Sequence, residues 1–197
     1  MTIGFCADIK NISKCIGCDL LVLPGDFKVV LSSEKDCLGE WCSKRFKHTF
    51  IVMGNEDYYD GTDVADTLDC YVGNVTDNVC FVNNTSISIG NVEIFFTTLW
   101  KDCNHSDISD MLSDRGDFEE IICRGSPLTI QCIKDLHEIC VEWLMSALIK
   151  SQAEVKIVVS HHRIDDALAK SLNAIGVDHL FSSASSFMKF DINYNGK

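Results

Sequence analysis

The sequence predicts an α/β fold in layers. Short apolar segments typical of buried strands alternate along the chain with segments whose apolar residues recur at helical spacing. Four of the apolar segments end in polar residues that can bind ligands, and ligand sites in open α/β sheets lie at the carboxyl ends of strands. Two sheets flanked by helices accommodate this order of elements.

Length and charge narrow the class of protein. The chain has 197 residues, of which 46% are hydrophobic, and its formal net charge is −12. We therefore expect a single domain spanning 1–197 with a substantial core. The acidity argues against extended nucleic-acid binding, which needs clustered basic residues, but it leaves room for a pocket that holds one nucleotide. An acidic surface suits a basic protein partner, or it simply confers solubility.

The N-terminal segment gives no sign of export. The apolar run within residues 1–10 is short and already contains an aspartate, unlike a signal peptide. No segment reaches the roughly 20 apolar residues of a membrane-spanning helix. We therefore expect a cytoplasmic protein without membrane association.

The chain contains 11 cysteines, an odd number that excludes a complete set of intrachain disulfides. In the cytoplasm they are expected to be reduced. Cys15 and Cys18 form a C-x-x-C pair, and Cys37 and Cys42 follow, so a zinc- or redox-responsive module is one alternative function. The other interpretation is structural, since a free cysteine packs like a small apolar residue.

Seven apolar segments have the length and composition of strands. They are residues 2–7, 20–23, 49–53, 79–82, 85–89, 92–97 and 156–159. Gly90 and Asn91 predict a tight hairpin between the fifth and the sixth of these segments. A further strand is expected at 177–181, and alternating polar and apolar residues predict a half-buried edge strand at 188–194. Residues 101–125 are polar and predicted to be irregular.

Three segments have the apolar spacing of helices. The first is 33–46. The second is predicted to begin with Ser126 as the cap and Pro127 at the first helical position. The third is 165–175, which ends at Gly176. The apolar stripe of the second helix consists of Ile133, Leu136, Cys140, Trp143, Leu144 and Ala147.

Chemically capable side chains follow four of the predicted strands: Asp8, Asp26, Asn55 and His161. Their oxygens and imidazole nitrogens are hard or borderline ligands for divalent metals. Taken singly, each also suits an ordinary structural role, such as a turn. Their common position at strand ends predicts one site built from four strands.

The order of these residues resembles the motifs of the calcineurin-like metallophosphoesterases, and of their small bacterial members in particular. The first three blocks are the strand that ends at Asp8, the segment DLLVLPGD at 19–26 and the segment FIVMGNEDYY at 50–59. The later blocks are FVNNT at 81–85, FFTTLW at 95–100 and VVSHH at 158–162. The resemblance runs from residue 2 to the end of the chain.

The resemblance implies a sandwich of two β-sheets flanked by helices and a reaction at two metal ions. One aspartate bridges the ions, which clamp the phosphoryl oxygens and supply a hydroxide nucleophile. The family's motifs are Asp-x-His, Gly-Asp, Gly-Asn-His, a histidine block and a late Gly-His-x-His. Because the chain ends soon after 188–194, the resemblance implies a fold shortened at the C-terminus or one whose last strand is missing.

Carried over residue by residue, the motifs are only partly present. Asp8 matches the first aspartate, but Lys10 stands at the position of the first histidine. Asp26 matches the bridging aspartate. Asn55 matches the metal-binding asparagine, whereas Glu56 replaces the catalytic histidine.

The remaining motifs show that the second metal position keeps more of its ligands than the first. His161 matches the fourth block, but the late motif near 183–186 has no histidine. The second metal therefore keeps Asp26, Asn55 and His161, whereas the first keeps only the two aspartates. We expect either no cofactor or one weakly bound divalent ion (Mn, Fe, Zn or Mg), with Asp8 as a further candidate ligand.

Three side chains are expected to line this site without binding metal: Lys10, His162 and Arg163. The Lys10 ammonium either replaces the charge of the first metal between the two aspartates or points to solvent. Glu56 repels the negative charge of a phosphate, and losing one electrostatic donor typically costs about 10²–10³ in rate. No catalytic residue of the family therefore remains intact.

Two function hypotheses follow, beside the cysteine module. The first is a catalytically inactive or crippled relative that acts as a binding or regulatory module. It would hold a phosphate-bearing small ligand through Lys10 and Arg163, or a protein partner on its acidic surface. The alternative is a residual single-metal phosphoesterase or phosphodiesterase, which acts on a nucleotide or small phosphate ester through Asp26, Asn55 and His161.

Overall fold

Strands and helices alternate along the chain in a computed structural model that describes residues 1–27, 38–103, 115–185 and 187–192. The strands are β1 (Thr2–Cys6), β2 (Leu20–Leu23), β3 (His48–Val52), β4 (Tyr71–Thr76), β5 (Val79–Asn83), β6 (Thr85–Ile89), β7 (Val92–Thr97), β8 (Ile122–Cys123), β9 (Ser126–Pro127), β10 (Val155–Ser160), β11 (His179–Ser182) and β12 (Phe187–Asp191). The α-helices are α1 (Leu38–Ser43), α2 (Arg115–Glu120), α3 (Ile130–Lys150) and α4 (Asp166–Ala174). Short 3₁₀ helices are Ile9–Cys15, Glu56–Tyr58 and Val64–Thr67.

Most of these strands belong to two mixed sheets. A six-stranded sheet has the order β12-β1-β2-β3-β5-β4, and a four-stranded sheet has the order β11-β10-β7-β6. In the first sheet β1, β2, β3 and β5 are parallel, and the two edge strands are antiparallel to their neighbours. In the second sheet β11, β10 and β7 are parallel and β6 is antiparallel. The short strands β8 and β9 form a separate two-stranded sheet, and Ile122 of β8 also forms an isolated bridge with Asp63.

The two larger sheets pack face to face. One buried cluster contains Ile3, Phe5, Leu20 and Val22 from the first sheet and Ile94, Phe96, Ile157 and Val159 from the second. Aromatic rings meet across the interface, with ring centroids 5.1 Å apart for Phe5 and Phe181. Each fully buried side chain of this size contributes about 1.5–3 kcal/mol relative to an exposed one. The apolar interior between the sheets therefore holds them together.

Helix α3 covers the outer faces of both sheets. Its first half buries Ile133 and Leu136 in a cluster with the outer face of the six-stranded sheet. Its second half buries Leu144 and Leu148 with α4 and the outer face of the four-stranded sheet. The α/β class predicted from the sequence is confirmed. No helix among the described residues is long and apolar enough to cross a membrane.

The predicted strands are present, with small differences at their ends. Residues 20–23, 85–89 and 92–97 coincide with β2, β6 and β7, and the other predicted strands end within one or two residues of those observed. Strand β2 is buried along its whole length because it lies inside a parallel arrangement, and such strands have continuous apolar sequences. This is why the segment could be identified without alternation.

Of the two edge strands of the six-stranded sheet, one was predicted and the other was not. Strand β4 was not predicted, because it exposes Val72 and Val75 and presents no continuous apolar face. Strand β12 confirms the predicted edge strand as far as Asp191, and Tyr194 lies outside the described residues.

The predicted start of the second helix is wrong. Ser126 and Pro127 form β9 and pair with β8. Helix α3 begins after Thr129, whose side chain accepts a hydrogen bond of 3.1 Å from the backbone N–H of Cys132. Threonine caps a helix through the same kind of hydrogen bond as serine. Because Ser126 and Pro127 belong to the β8–β9 hairpin, Thr129 is the cap instead. Of the predicted stripe, Trp143 and Ala147 are only half-buried, and Leu148 is buried in addition.

The other helices agree with the prediction in part. Helix α1 covers 38–43 of the predicted helix, and residues 44–46 are not helical. The predicted residues before it lie outside the described part of the chain. Helix α2 and strand β8 lie in 101–125, so the prediction of an irregular segment is wrong there. Helix α4 has Asp165 as its cap and ends before Gly176, whose φ is +87°, as expected.

Candidate metal centre

Loops from both large sheets meet at one point. Asp26 follows β2, Asn55 follows β3 and His161 follows β10. The Nε2 atom of His161 lies 2.9 Å from Asn55 Oδ1 and 3.4 Å from Asp26 Oδ2. The structure thus brings together three of the four strand-end residues that the sequence placed in one site. The side chain of His161 is 5% exposed and that of Asp26 is 32% exposed, so the cluster reaches solvent through the aspartate.

Two glycines allow the loops to approach this closely. Gly25 has a φ of +100°, and a Cβ there would collide with the ring of His161 and lie 2.9 Å from the Cα of Gly54. A Cβ at Gly54 would in turn collide with the carboxylate of Asp26. Asp26 itself has a φ of +62°, a conformation that aspartate tolerates better than most residues. The Gly25-Asp26 and Gly54-Asn55 pairs are therefore required by the packing of the loops.

A buried carboxylate ties these two loops together. Asp57 is 1% exposed, and its Oδ2 accepts hydrogen bonds from the backbone N–H groups of Gly54 at 2.8 Å and Asp26 at 2.9 Å. The backbone N–H of Glu56 donates to Oδ1 of Asp26 at 3.1 Å. Bonds from N–H groups to an ionised carboxylate are stronger than neutral ones. Asp57 was not predicted as a site residue, because nothing in the local sequence indicates a bond to backbone in another loop.

The hydrogen bonds of His161 determine which ring nitrogen carries its proton. Its Nδ1 lies 2.8 Å from the carbonyl oxygen of Pro24. A carbonyl oxygen can only accept, so Nδ1 is the donor. In the neutral ring Nε2 then presents a lone pair, and this lone pair faces Asn55 Oδ1 and Asp26 Oδ2.

The amide of Asn55 is oriented by residues from outside its own loop. Asn55 Nδ2 donates to Oδ1 of Asp117 at 2.8 Å, and the hydroxyl of Tyr59 donates to the same oxygen at 2.6 Å. An ionised carboxylate only accepts, so the NH₂ of Asn55 faces Asp117 and its carbonyl oxygen faces His161. Neither Asp117 nor Tyr59 was predicted, because Asp117 lies in α2, far along the chain and without a recognisable motif.

Burial controls the protonation of the cluster. It raises the pKa of Asp26 to about 6, and the negative charges of Glu56 and Asp117 add to this rise, while the backbone N–H of Glu56 opposes it. Burial also lowers the pKa of His161, against the opposing effects of the Pro24 carbonyl and the nearby carboxylates. At neutral pH the imidazole is therefore neutral, and the 3.4 Å contact between Asp26 and His161 is not an ion pair.

Two distances within the cluster are compatible with ligands of one metal ion. Ligands about 2.0–2.2 Å from one ion, at angles between about 90° and 110°, lie about 2.8–3.6 Å apart. The distances of 2.9 Å and 3.4 Å from His161 Nε2 to the two oxygens fall in this range. An imidazole with oxygen ligands suits Mn, Fe or Zn better than Mg, which prefers oxygen alone. Within the described residues no three His, Cys, Asp or Glu side chains converge as ligands, so the set depends on the amide of Asn55.

Asp8 and Lys10 form a hydrogen bond within their own loop. The carboxylate of Asp8 caps the 3₁₀ helix Ile9–Cys15 by accepting a hydrogen bond of 2.9 Å from the backbone N–H of Lys10. Both side chains are exposed, and no described residue forms an ion pair with the Lys10 ammonium. No described contact therefore supports the hypothesis that Lys10 replaces the charge of a first metal. Asp8 has no described bond to the other three candidate ligands.

His162 packs behind His161 as a core residue. It is 8% exposed, and its ring centroid lies 4.6 Å from that of His161 and 5.8 Å from that of Trp100. Burial lowers the pKa of His162 well below 6.5, and the proximity of His161 and Lys101 lowers it further. It therefore stays neutral and supports the ring of His161 rather than a ligand.

Arg163 follows His161 and His162 in the sequence and lies on the surface. It is exposed and lines an open depression of about 250 Å³ at the ends of β10 and β11. The other lining residues are Ile164, Leu180, Phe181, Ser182, Ala184 and Ser185. The turn after β11 occupies the position expected for the late histidine motif, and the backbone N–H of Ser183 donates to the carbonyl of His161 at 3.2 Å. No described contact joins Arg163 to the three candidate ligands.

The described cysteines give the zinc or redox alternative no support. Cys15, Cys18 and Cys42 are buried, and Cys37 lies outside the described residues. Burial raises the pKa of Cys18 and raises that of Cys42 to about 12. A hydrogen bond with Cys6, together with burial, raises the pKa of Cys15. These groups are therefore thiols at neutral pH, and it is the thiolate that reacts and binds metals.

No protein-family model matches this chain, and no curated protein has significant sequence similarity to it. The resemblance to the metallophosphoesterases therefore rests on the order of the motifs in the sequence.

Proposed function

We propose that this chain is a degenerate relative of the calcineurin-like metallophosphoesterases, with their sandwich of two sheets, that binds one divalent cation and does not hydrolyse phosphate esters. The cation would be held by Asp26 Oδ2, Asn55 Oδ1 and His161 Nε2. The protein would act as a binding or regulatory module rather than as an enzyme.

One observation carries this proposal: three lone-pair donors face one another without a proton between them. In the neutral His161 ring the single N–H donates to the Pro24 carbonyl oxygen, and the NH₂ of Asn55 donates to Asp117. A carboxylate, an amide oxygen and an imidazole nitrogen at these distances repel one another in a partly buried site. A divalent cation relieves this repulsion and supplies the positive charge that joins the three loops.

Charge is also the reason why hydrolysis is not expected. The carboxylates of Glu56 and Asp117 lie close enough to Asp26 to raise its pKa. One divalent cation brings two positive charges against the three carboxylates, so the site keeps a net negative charge and repels a phosphate. The two-metal enzymes reverse this balance, since two ions clamp the phosphoryl oxygens. Glu56 adds negative charge at the position where the family has a histidine that donates to the phosphate.

The acidity of the whole chain indicates the kind of partner that such a module would bind. The formal net charge is −12. A basic protein surface would be attracted over long distances, and the attraction would weaken as salt is added. A phosphate-bearing ligand is compatible with Arg163 and its depression, but not with the acidic cluster around Asp26.

The proposal is tested by measuring cation binding and hydrolysis on the same sample. Protein freed of metal with a chelator is titrated with Mn²⁺ or Zn²⁺ by calorimetry, and cleavage of bis(4-nitrophenyl) phosphate is followed in parallel. We expect one cation per chain and no cleavage. Asp26→Ala should abolish cation binding, whereas Asp69→Ala, at an exposed aspartate outside the site, should not change it.

Two outcomes would contradict the proposal in different ways. Cleavage that requires Mn²⁺ and disappears in Asp26→Ala would identify the residual single-metal phosphoesterase instead. Two tightly bound cations per chain would show that the first metal position is intact despite Lys10.

A further inference from the structure

We infer that Asp117 and Tyr59 are positioning residues, which hold the amide of Asn55 with its oxygen toward the cation. This inference rests on the proposed function, because it concerns the same cation. It assigns a role to a part of the chain, helix α2, that none of the recognised motifs includes.

The contacts form a short chain of hydrogen bonds. The Tyr59 hydroxyl and Asn55 Nδ2 both donate to Oδ1 of Asp117, at 2.6 Å and 2.8 Å. On the other side of the amide, Asn55 Oδ1 lies 2.9 Å from His161 Nε2. Asp117 and Asn55 are both partly buried, so these bonds are shielded from competing water.

An asparagine amide has two ends, and only one of them can bind a cation. In the absence of a cation, the lone pairs of His161 and Asp26 would attract the NH₂ end of Asn55 rather than its oxygen. A flip of the amide would satisfy both acceptors and present N–H donors where the cation must sit. Asp117 opposes this flip, because its carboxylate offers the NH₂ group a stronger, charge-assisted bond on the opposite side.

Tyr59 contributes by holding the carboxylate of Asp117 in place. It follows the 3₁₀ helix Glu56–Tyr58 and therefore comes from the same loop as Asn55. Two donors from one loop thus bond to the same carboxylate oxygen of Asp117 in α2. Because that oxygen is bonded by the Tyr59 hydroxyl as well, Asp117 loses little freedom when it orients the amide.

The test compares two aspartates that fix the same region of the chain. Asp117 contacts Asn55, whereas Asp63 accepts hydrogen bonds from the backbone N–H groups of Arg124 and Gly125 beyond α2 and makes no described contact with the candidate ligands. Mn²⁺ affinity is measured by calorimetry for Asp117→Ala, Asp63→Ala and Tyr59→Phe in the full chain. We expect a loss of about 10–100-fold for Asp117→Ala, a smaller loss for Tyr59→Phe and less than about twofold for Asp63→Ala.

A second readout does not depend on the cation. In the metal-free protein, the side-chain NH₂ signals of Asn55 should show slow exchange with water and should change in Asp117→Ala but not in Asp63→Ala. Asp117→Asn should restore part of the Mn²⁺ affinity, since its amide oxygen can still accept from Asn55.

The outcomes separate the two proposals. If the natural protein binds Mn²⁺ and Asp117→Ala binds it equally well, the positioning role is wrong and the cation site stands. If Asp63→Ala loses as much affinity as Asp117→Ala, the effect comes from loosening of the segment, and the inference is overturned. If the natural protein binds no cation, the proposed function fails, and the role of Asp117 in cation binding fails with it.

Discussion

At the residue scale, the central feature is that each polar group of the cluster is fixed by a partner outside it. Pro24 fixes the proton of His161, Asp117 fixes the amide of Asn55, and Glu56 holds one oxygen of Asp26 with its backbone N–H. The inward-facing atoms are therefore all acceptors. Burial, together with the negative charges of Glu56 and Asp117, raises the pKa of Asp26 to about 6.

Gly25 provides a test of how tightly the loops must approach. Gly25→Ala should lower the free energy of unfolding by about 3 kcal/mol, because a left-handed backbone costs roughly 1–2 kcal/mol for alanine and the new Cβ also collides with His161. Gly61→Ala is the matched control, since Gly61 has a φ of +86° and no atom within 4 Å of its added Cβ. It should cost only about 1 kcal/mol. Urea denaturation of both variants would show equal losses if the close approach were unimportant.

At the scale of elements, buried strands are easier to predict from the sequence than exposed or very short elements. Strands β2 and β7 could be predicted because burial makes their sequences continuously or mainly apolar. Strand β4 and helix α2 could not, because an exposed edge strand and a helix of fewer than two turns leave no apolar pattern.

The same limit applies to the site. The proximity of the candidate ligands Asp26, Asn55 and His161 could be predicted because each follows closely after the end of a strand. Asp57 and Asp117 act through hydrogen bonds to groups in other loops, which no periodicity or spacing in the sequence records. The recognised motifs therefore include the candidate ligands, and the structure shows which groups orient them.

The start of α3 allows a direct comparison of the expected cap with the observed one. Thr129→Ala should reduce stability by about 1 kcal/mol, because Thr129 accepts a hydrogen bond from the backbone of Cys132. Ser126→Ala should change stability by less than about 0.5 kcal/mol, since Ser126 is exposed in β9. Chemical denaturation distinguishes the two variants, and a larger effect for Ser126 would favour the helix start predicted from sequence.

The cysteines give a further prediction for the elements around β1 and α1. At pH 8 iodoacetamide should label the exposed Cys70 of the native protein, but not Cys18 or Cys42, because burial both shields these two and raises their pKa. Peptide mapping by mass spectrometry, with a urea-unfolded sample as the control, measures the sites. Rapid native labelling of Cys42 would show that α1 opens readily.

At the scale of the whole molecule, the candidate centre joins the two sheets. Asp26 and Asn55 belong to loops of the six-stranded sheet, whereas His161 follows a strand of the four-stranded sheet. A cation bound by all three would thus link the two sheets at one end of their common core. Stability and binding are expected to be coupled for this reason.

This coupling predicts a shift in thermal unfolding. A cation at 100 times its dissociation constant stabilises the native state by about 2.7 kcal/mol, which corresponds to about 5–10 °C for a chain of this size. Differential scanning calorimetry with and without Mn²⁺ should show this increase in Tm. The increase should be absent in His161→Ala, and an equal increase in that variant would place the cation elsewhere.

The number of divalent cations bound per chain is the decisive measurement for the proposed cation site. Native mass spectrometry of protein loaded with Mn²⁺ or Zn²⁺ measures it without any assumption about activity. We expect one cation in the natural protein and none in Asp26→Ala or His161→Ala. Two cations in the natural protein, or one cation that remains when Asp26 or His161 is replaced, would contradict this expectation.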